Sequence, residues 1–348
     1  MRVLLTGITG FVGSHLAEYI LSLEEKHKVY GLCRWRSPRD NLKNCIKEVR
    51  LLEGDLLDFS SLERVLEKSK PDIVFHLAAQ SYVQTSFTSP LDTINRNVIG
   101  TVNLLEAIRS VKDIIENKWS EKRVYFDPII QIASSSEVYG EVPFAEQPTT
   151  ELTPLRPASP YAVSKVAEDM LGYQYHLSYG LKTLRTRLFS HTGARRGDVF
   201  VLSAFAKQIA AIELGLQEPE VRVGNLDSRR TFIDVRDAVR AYWALVTKVK
   251  NYGDVFNIGG STEFTIKSLL DSLVAMSIYP YRENIKIVID KELIRPSDVV
   301  SQIPDSSKFR RLTGWEPEIH MGTTVKSILD YWRTELKINP WKVTSVDK

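Results

Sequence analysis

The first thirteen residues constrain the fold of this chain more than any other stretch. An apolar run at residues 2–6 (RVLLT) is followed at once by Gly7, Gly10 and Gly13. Apolar residues then recur at helical spacing, so this stretch predicts a strand, a glycine-rich turn and a helix. Glycine lets a pyrophosphate approach the helix N-terminus, where free N–H groups and the helix dipole favour anions. In this context the glycine triplet indicates a dinucleotide-binding unit.

Strands and helices alternate through the first half of the chain. Strands are expected at 28–34, 49–53, 72–79, up to Ile132 and at 181–189, with helices near 59–69, 93–111 and 160–179. This alternation predicts an α/β fold, a Rossmann doubly wound parallel sheet. Further helices are expected near 199–214, 235–249, 266–276 and 322–336. The predicted division is a nucleotide-binding Rossmann domain at 1–189 and a smaller mixed α/β lobe at 190–348. That lobe mainly binds substrate, and some of its strands and helices return to the first domain.

Composition narrows the class of protein. The 348 residues are 43% hydrophobic and 26% charged, with a net charge of only +3, which gives little support to a nucleic-acid or membrane-surface role. Cys33 and Cys45 cannot form a disulfide framework, and the six histidines share no ligand spacing, so no metal site is expected. No apolar run reaches the length of a membrane span. A cytoplasmic enzyme is the expectation.

The stretch from 133 to 165 carries the groups of a proton relay. It contains Ser135 and Glu137, then Tyr161 and Lys165. A phenol is a poor base at its usual pKa of about 10. An ammonium beside it favours the phenolate and lowers that pKa, and a spacing of four places both side chains on one helix face. These groups suit removal of a proton from an alcohol while a hydride leaves the same carbon.

The end of the second strand indicates which dinucleotide is bound. An acidic residue there would bind the ribose hydroxyls of NAD, whereas arginine accommodates the extra phosphate of NADP. The sequence has Arg34 and Arg36 and no carboxylate until Asp40, so NADP is favoured. Asp55 either accepts from the adenine amino group or forms a turn.

Several spaced motifs carry a family resemblance. TGITGFVG (6–13), GDLLD (54–58), FHLAAQS (75–81), SSSEVYG (134–140) and Tyr161-x-x-x-Lys165 resemble the extended short-chain dehydrogenase/reductases. Within them, HTGARRG (191–197), VGNLDSRRTF (223–232) and IRPSDV (294–299) are similar to the GDP-mannose 4,6-dehydratase branch. A neighbouring branch, GDP-4-keto-6-deoxy-mannose reductase, is also similar.

The resemblance implies a set of binding residues. Those implied for NADP are Gly7, Thr9, Gly10, Phe11, Val12, Gly13, Arg34, Arg36, Asp55, Leu56, Leu77, Ala78, Ala79, Gln80, Ser81, Tyr161, Lys165, His191 and Arg196. Arg230 and Arg295 are candidates for the substrate diphosphate, because guanidinium groups suit phosphate oxygens. The other candidates for substrate binding are Ser190, Lys207, Arg222 and Asp298. A homodimer or homotetramer is also implied.

Glu137 indicates which sugar chemistry to expect. Simple 4-epimerases of this superfamily usually carry no acid at this position, whereas a 4,6-dehydratase needs a base for the C5 proton. The resemblance implies that Tyr161 takes the O4 proton as the C4 hydride passes to NADP⁺. Glu137 then removes the C5 proton and assists loss of water from C6, and the hydride returns to C6. The sequence therefore predicts conversion of GDP-mannose to GDP-4-keto-6-deoxy-mannose.

Two residues keep other activities open. The dehydratases usually have threonine where this chain has Ser135 and asparagine where it has Ser190, and the reductase branch also has serine followed by glutamate. The alternative is an NADPH-dependent reductase of a 4-keto-6-deoxy GDP-sugar. A nucleotide-sugar 4-epimerase ranks third.

Overall fold

A parallel sheet forms the centre of the protein. The computed structural model describes residues 1–117, 126–293 and 301–344. Within them the strands are β1 (Arg2–Thr6), β2 (Lys28–Cys33), β3 (Arg50–Glu53), β4 (Ile73–His76), β5 (Ile129–Ala133), β6 (Lys182–Leu188), β7 (His191–Thr192), β8 (Glu220–Val223), β9 (Arg229–Arg230), β10 (Ile233–Asp234), β11 (Val255–Ile258), β12 (Phe264–Thr265) and β13 (Lys286–Ile289). Seven of them form one sheet in the order β11-β6-β5-β4-β1-β2-β3, and every pairing in it is parallel.

Helices cover both faces of this sheet. They are α1 (Phe11–Ser22), α2 (Phe59–Ser69), α3 (Val83–Thr88), α4 (Pro90–Ile94), α5 (Gly100–Asn117), α6 (Pro160–Tyr179), α7 (Val201–Glu213), α8 (Val235–Lys248), α9 (Ile266–Ala275), α10 (Ser307–Thr313) and α11 (Met321–Ile338). One core packs α1, α8 and α10 on the sheet, and another packs α2 and α5 on it. The predicted doubly wound Rossmann sheet is confirmed. Because β2 and β4 flank β1, ligands are expected at the carboxyl ends of these strands.

A further hydrophobic core lies in the second half of the chain. It is built from α7, α9, α11 and β8. In contrast, α8 and α10 pack against the main sheet, and β11 is its edge strand. Within the described residues no helix is both long and apolar enough to cross a membrane. The division at residue 190, and the assignment of the second core to substrate binding, stay predictions.

The helix α6 has the bounds that the sequence predicts. The Ser159 side chain accepts a hydrogen bond from the Ala162 backbone N–H, and Pro160 follows at the first helical position. Gly180 ends the helix in the left-handed conformation with φ of 65°. This local capping fixes the start of α6 just before Tyr161, and Lys165 follows one turn later.

The predicted helix at 93–111 is instead divided. Its first part is α4, and a π-helical turn at Asn95–Ile99 leads into α5. Within that turn Asn97 is buried and bonds through its side chain to the Gln80 backbone and to the Ser164 hydroxyl. These tertiary bonds are made from within the π-helical turn, which contains one more residue than an α-helical turn. Sequence periodicity does not reveal such a turn.

A buried ion-pair network holds α6 against β6. The carboxylate of Asp169 accepts from Arg185 and from Arg187, with an Arg187 Nε–Oδ2 distance of 2.8 Å. Arg187 also donates to the phenol oxygen of Tyr139, and that phenol donates to the Asn257 side chain in β11. All these side chains are buried. The network therefore joins α6, two strands and the turn after β5.

Asp169→Asn is expected to lower the free energy of unfolding by about 3–5 kcal/mol, because it leaves two buried guanidinium groups without their carboxylate. Asp271→Asn is the matched control, since Asp271 pairs with Lys267 on the exposed face of α9. It should cost no more than about 0.5 kcal/mol. Urea unfolding measures both, and a similar loss in the two variants would contradict this role of the network.

Candidate active site

The glycine-rich turn after β1 is packed too closely for side chains. Gly7 has φ of 71°, and a Cβ there would lie 2.9 Å from the Ala78 backbone nitrogen. A Cβ on Gly13 would lie 2.2 Å from the Gly7 carbonyl oxygen. Gly10 precedes α1 without any side-chain cap, so the first N–H groups of that helix have no side-chain acceptor there. Such an N-terminus fits a phosphate group.

The loop after β4 closes against this turn. Thr6 Oγ1 accepts from the backbone N–H groups of Leu77 and Ala78 at 3.1 Å each. The same hydroxyl bonds the buried ring of His76, whose pKa burial lowers to about 3. The structure thus brings Leu77 and Ala78 beside the glycine-rich turn, and the role of residues 77–81 in lining the nucleotide stays a prediction.

A cavity of about 680 Å³ lies at the ends of β2 and β3. Its lining includes Arg34, Trp35, Arg36 and Asp55, together with Arg64 from α2. Arg34 and Arg36 are exposed, and the Arg36 guanidinium lies 4.2 Å from the Trp35 ring centroid. One oxygen of Asp55 accepts from the backbone N–H two residues later, so Asp55 does form a turn. The sequence analysis did not identify Arg64.

The segment that begins with β7 forms the other wall of the glycine-rich turn. The rings of His191 and Phe11 stack with centroids 5.9 Å apart, and the Arg196 guanidinium lies 5.0 Å from the Phe11 centroid and 3.6 Å from that of Phe200. Burial is the main cause that lowers the pKa of His191 to about 3 and that of Arg196 to about 10. A neutral ring and a partly buried cation therefore face the glycine-rich turn.

Arg195 holds this wall in place and was missed by the sequence analysis. Its φ is 70°, and its guanidinium bonds both carboxylate oxygens of Glu18 at 2.8 and 2.7 Å. It also donates to the Asn41 carbonyl oxygen at 2.8 Å and contacts the His15 ring. One side chain thus connects the segment of His191 to α1 and to the loop that follows β2.

Ser135 and Glu137 lie in the turn that leaves β5. Ser135 precedes a 3₁₀ turn at Ser136–Tyr139, and its hydroxyl oxygen accepts from the Glu137 backbone N–H at 3.2 Å. Both side chains are partly exposed, whereas Tyr161 of α6 is buried and bonds the Ser135 side chain. The negative charge of Glu137 acts on the Tyr161 phenol. The structure therefore brings these three predicted residues together.

Burial dominates the acidity of Tyr161. Desolvation raises the pKa of its phenol, while Lys165 and the Ser135 bond lower that pKa only in part. The expectation that Lys165 lowers the pKa of this phenol overall is wrong, because the spacing of the two residues does not show how deeply the phenol is buried. The Lys165 ammonium lies 5.9 Å from the Tyr161 ring centroid and donates to the Ala133 carbonyl oxygen at 2.9 Å.

The residues predicted to bind substrate are more scattered. Arg230 is half-buried in β9, and Ser190 lies directly before β7. Lys207 is buried in an ion pair with Asp198, and Arg222 is exposed and pairs with Glu220. Arg295 and Asp298 lie outside the described residues. The substrate roles of all six residues stay predictions.

Comparisons with known proteins agree with the motifs. A family model for GDP-mannose 4,6 dehydratase matches residues 4–328. GDP-mannose 4,6 dehydratase 1 of Arabidopsis thaliana is 35% identical, over 94% of this chain and 88% of its own. This chain belongs to the GDP-mannose 4,6-dehydratase family. GDP-6-deoxy-D-mannose reductase of Pseudomonas aeruginosa is 32% identical, over 97% and 98%. The structure of RMD from the same species, complexed with NADPH, matches with a TM-score of 0.80 and 30% identity, over 96% of this chain and 100% of that one.

Membership of the dehydratase family confirms the resemblance drawn from the motifs. Besides Arg64, the residues that sequence motifs did not reveal are side chains that act through others, namely Asn97, Glu168 and Arg195. Glu168, whose carboxylate bonds Lys165, lies three residues beyond the end of the Tyr161-x-x-x-Lys165 motif. Within the described residues, no group of three or more His, Cys, Asp or Glu side chains could hold a metal ion.

Proposed function

We propose that this protein dehydrates GDP-mannose to GDP-4-keto-6-deoxy-mannose with bound NADP. The match to the dehydratase family model over residues 4–328 supports the reaction class. The observation that carries the proposal is the position of Glu137, next to the Tyr161 and Ser135 pair. Among the described residues its carboxylate forms no ion pair, which favours a base over a structural partner for a nearby cation.

The residues around the glycine-rich turn fit NADP. The close approach at Gly7 and Gly13 and the uncapped start of α1 suit a pyrophosphate. Arg34 and Arg36, exposed at the end of β2, suit the 2′-phosphate. When bound, NADP supplies the hydride acceptor and returns the hydride, so it acts catalytically. The complex of the Pseudomonas aeruginosa relative with NADPH supports this choice.

The chain's own side chains move the protons. Tyr161 takes the O4 proton, and Ser135 donates a hydrogen bond to the oxygen that becomes a ketone. The C5 proton is then acidic, and Glu137 removes it. The C5 proton and the C6 hydroxyl leave as water, and the O4 proton replaces the one lost from C5. Lys165 keeps positive charge near the Tyr161 phenol throughout.

A reductase of the 4-keto-6-deoxy sugar is the alternative. It is favoured by the 32% identity to the Pseudomonas aeruginosa reductase over nearly the whole of both chains. In that reaction Tyr161 donates a proton to O4, and Glu137 has no C5 proton to remove. The two reactions therefore differ in cofactor use, because the dehydratase regenerates its NADP⁺ whereas the reductase consumes one NADPH per turnover.

Purified protein incubated with GDP-mannose and substoichiometric NADP⁺ should give a keto-sugar that is lighter by one water. Mass spectrometry measures the product, and more product than cofactor shows that NADP is regenerated. Turnover only with a prepared 4-keto sugar and stoichiometric NADPH would replace the dehydratase with the reductase.

Glu137→Gln should lower the rate of dehydration by about 10²–10⁴-fold, because the amide cannot take the C5 proton. C4 oxidation should persist and appear as a transient NADPH absorbance in stopped-flow measurements. Glu141→Gln is the matched control, since Glu141 is an exposed carboxylate four residues along. Unchanged turnover in Glu137→Gln would exclude the assigned role.

Replacing Arg34 and Arg36 with serine should weaken NADP binding about tenfold or more and leave NAD binding nearly unchanged. The reason is that only NADP carries the phosphate that these guanidinium groups would bind. Titration calorimetry with both dinucleotides measures the effect. Arg50→Ser is the control, because Arg50 is exposed at the other end of the β3 strand. Equal losses for NADP and NAD would argue against phosphate recognition.

We also propose a homodimer or homotetramer in the cytoplasm. An apolar stripe on α6 supports association, since Val163, Met170, Tyr173 and Leu177 are exposed there, Leu177 to 70%. Size-exclusion chromatography with light scattering measures the oligomeric state.

A further inference from the structure

Glu168 is a buried carboxylate that the proposed reaction does not use. It lies on α6, three residues after Lys165, and its side chain is only 1% exposed. Its Oε2 accepts from the Lys165 ammonium at 2.9 Å. Its Oε1 is also buried and has no hydrogen-bond partner among the described residues. A carboxylate in such a place is costly, so its position calls for a physical reason.

Glu168 is one of the two groups that accept hydrogen bonds from the Lys165 ammonium. Lys165 donates to the Ala133 carbonyl oxygen at the end of β5 and to Glu168, each at 2.9 Å. Its side chain is 5% exposed, so water offers little competition for these bonds. The ammonium is therefore fixed between β5 and α6, with its nitrogen 5.9 Å from the Tyr161 ring centroid.

The two charges act on Tyr161 in opposite directions. Lys165 lowers the pKa of the phenol, and Glu168 raises it. Burial raises the pKa of Glu168 itself to about 7, although Lys165 works against this rise. Glu168 is thus ionised above about pH 7, so its negative charge is present at the higher pH at which the Tyr161 phenol loses its proton.

We propose that Glu168 is a positioning residue that holds the Lys165 ammonium in place and offsets part of its charge at the Tyr161 phenol. The inference rests on the proposed function, in which Tyr161 is the base. Lys165 and Glu168 together then set the pH at which Tyr161 can accept a proton. Removing the negative charge of this carboxylate makes neighbouring protons easier to lose. The titration of Tyr161 and the pH dependence of kcat should therefore both move to lower pH.

Other groups act on the same cluster and stay unchanged in the test. The charged and titratable groups facing Tyr161, Lys165 or Glu168 from α6, the turn after β5, β4, the segment after β7 and α8 are Asp169, Glu137, His76, Arg196 and Tyr242.

Ultraviolet difference titration measures the proposal directly. Spectra of a Tyr161→Phe variant are subtracted from those of the parent, with and without Glu168→Gln, so that only the Tyr161 phenolate is observed. The expected result is that Glu168→Gln lowers the pKa of Tyr161 by about one unit. Glu168→Asp keeps the charge and should restore most of the original value. Glu67→Gln, an exposed carboxylate on α2, should change nothing.

An unchanged pKa of Tyr161 in folded Glu168→Gln would overturn the proposal. Circular dichroism establishes the folded state. If Glu168→Gln does not fold, Lys165→Met is compared with Lys165→Met/Glu168→Gln, in which no charge of the pair stays buried. The double variant should then have the lower Tyr161 pKa, and equal values would overturn the proposal.

The titration needs no sugar substrate, so its outcome is separate from that of the dehydratase assay. If the dehydratase assay succeeds, both limbs of the kcat profile of Glu168→Gln should also lie at lower pH. If the pKa of Tyr161 falls but both limbs of the kcat profile keep their pH values, the link between Glu168 and turnover is contradicted. If the parent protein fails in the dehydratase assay but the pKa of Tyr161 falls in Glu168→Gln, the proposed function is overturned and the electrostatic role of Glu168 is retained.

Discussion

The reactive side chains depend on one buried carboxylate, Asp169. It joins Arg185 and Arg187 of β6 to α6, the helix that carries Tyr161. Arg187 also bonds Tyr139, which ends the turn that holds Glu137. A single network thus fixes the helix and the turn relative to the same strand. Because a buried pair is costly to break on one side, this geometry is held more rigidly than an exposed loop could hold it.

Burial that positions these groups also changes their chemistry. Tyr161 is packed into the site. Desolvation raises the pKa of its phenol by more than the nearby ammonium lowers it. Lys165 can remain charged there because Glu168 and the Ala133 carbonyl oxygen satisfy it. The acids Glu168 and Asp169 are consecutive on α6, yet one faces the lysine and the other faces two arginines. The charge around the phenol is therefore built from the helix that presents it.

Sequence periodicity and capping predict much of the fold. The bounds of α6 follow from Ser159, Pro160 and Gly180, which act within one turn of the chain. Asn97 interrupts a predicted helix because its bonds reach residues distant in sequence. Motifs with fixed spacing located Ser135, Glu137, Tyr161 and Lys165, because that chemistry requires these residue types. Arg195 and Glu168 could not be found in this way, since their roles depend on which side chains the fold brings beside them.

Dehydration and reduction also require different protonation states of Tyr161. Oxidation at C4 needs a phenol that accepts a proton, and reduction of a 4-ketone needs one that donates it. Burial and Glu168 favour the donor, whereas Lys165 and Ser135 favour the acceptor. Serine and threonine hydroxyls make the same bond to the phenol, so Ser135 in place of threonine does not decide between the reactions. What favours dehydration at this site is Glu137, a carboxylate beside Tyr161 and Ser135 that can take the C5 proton.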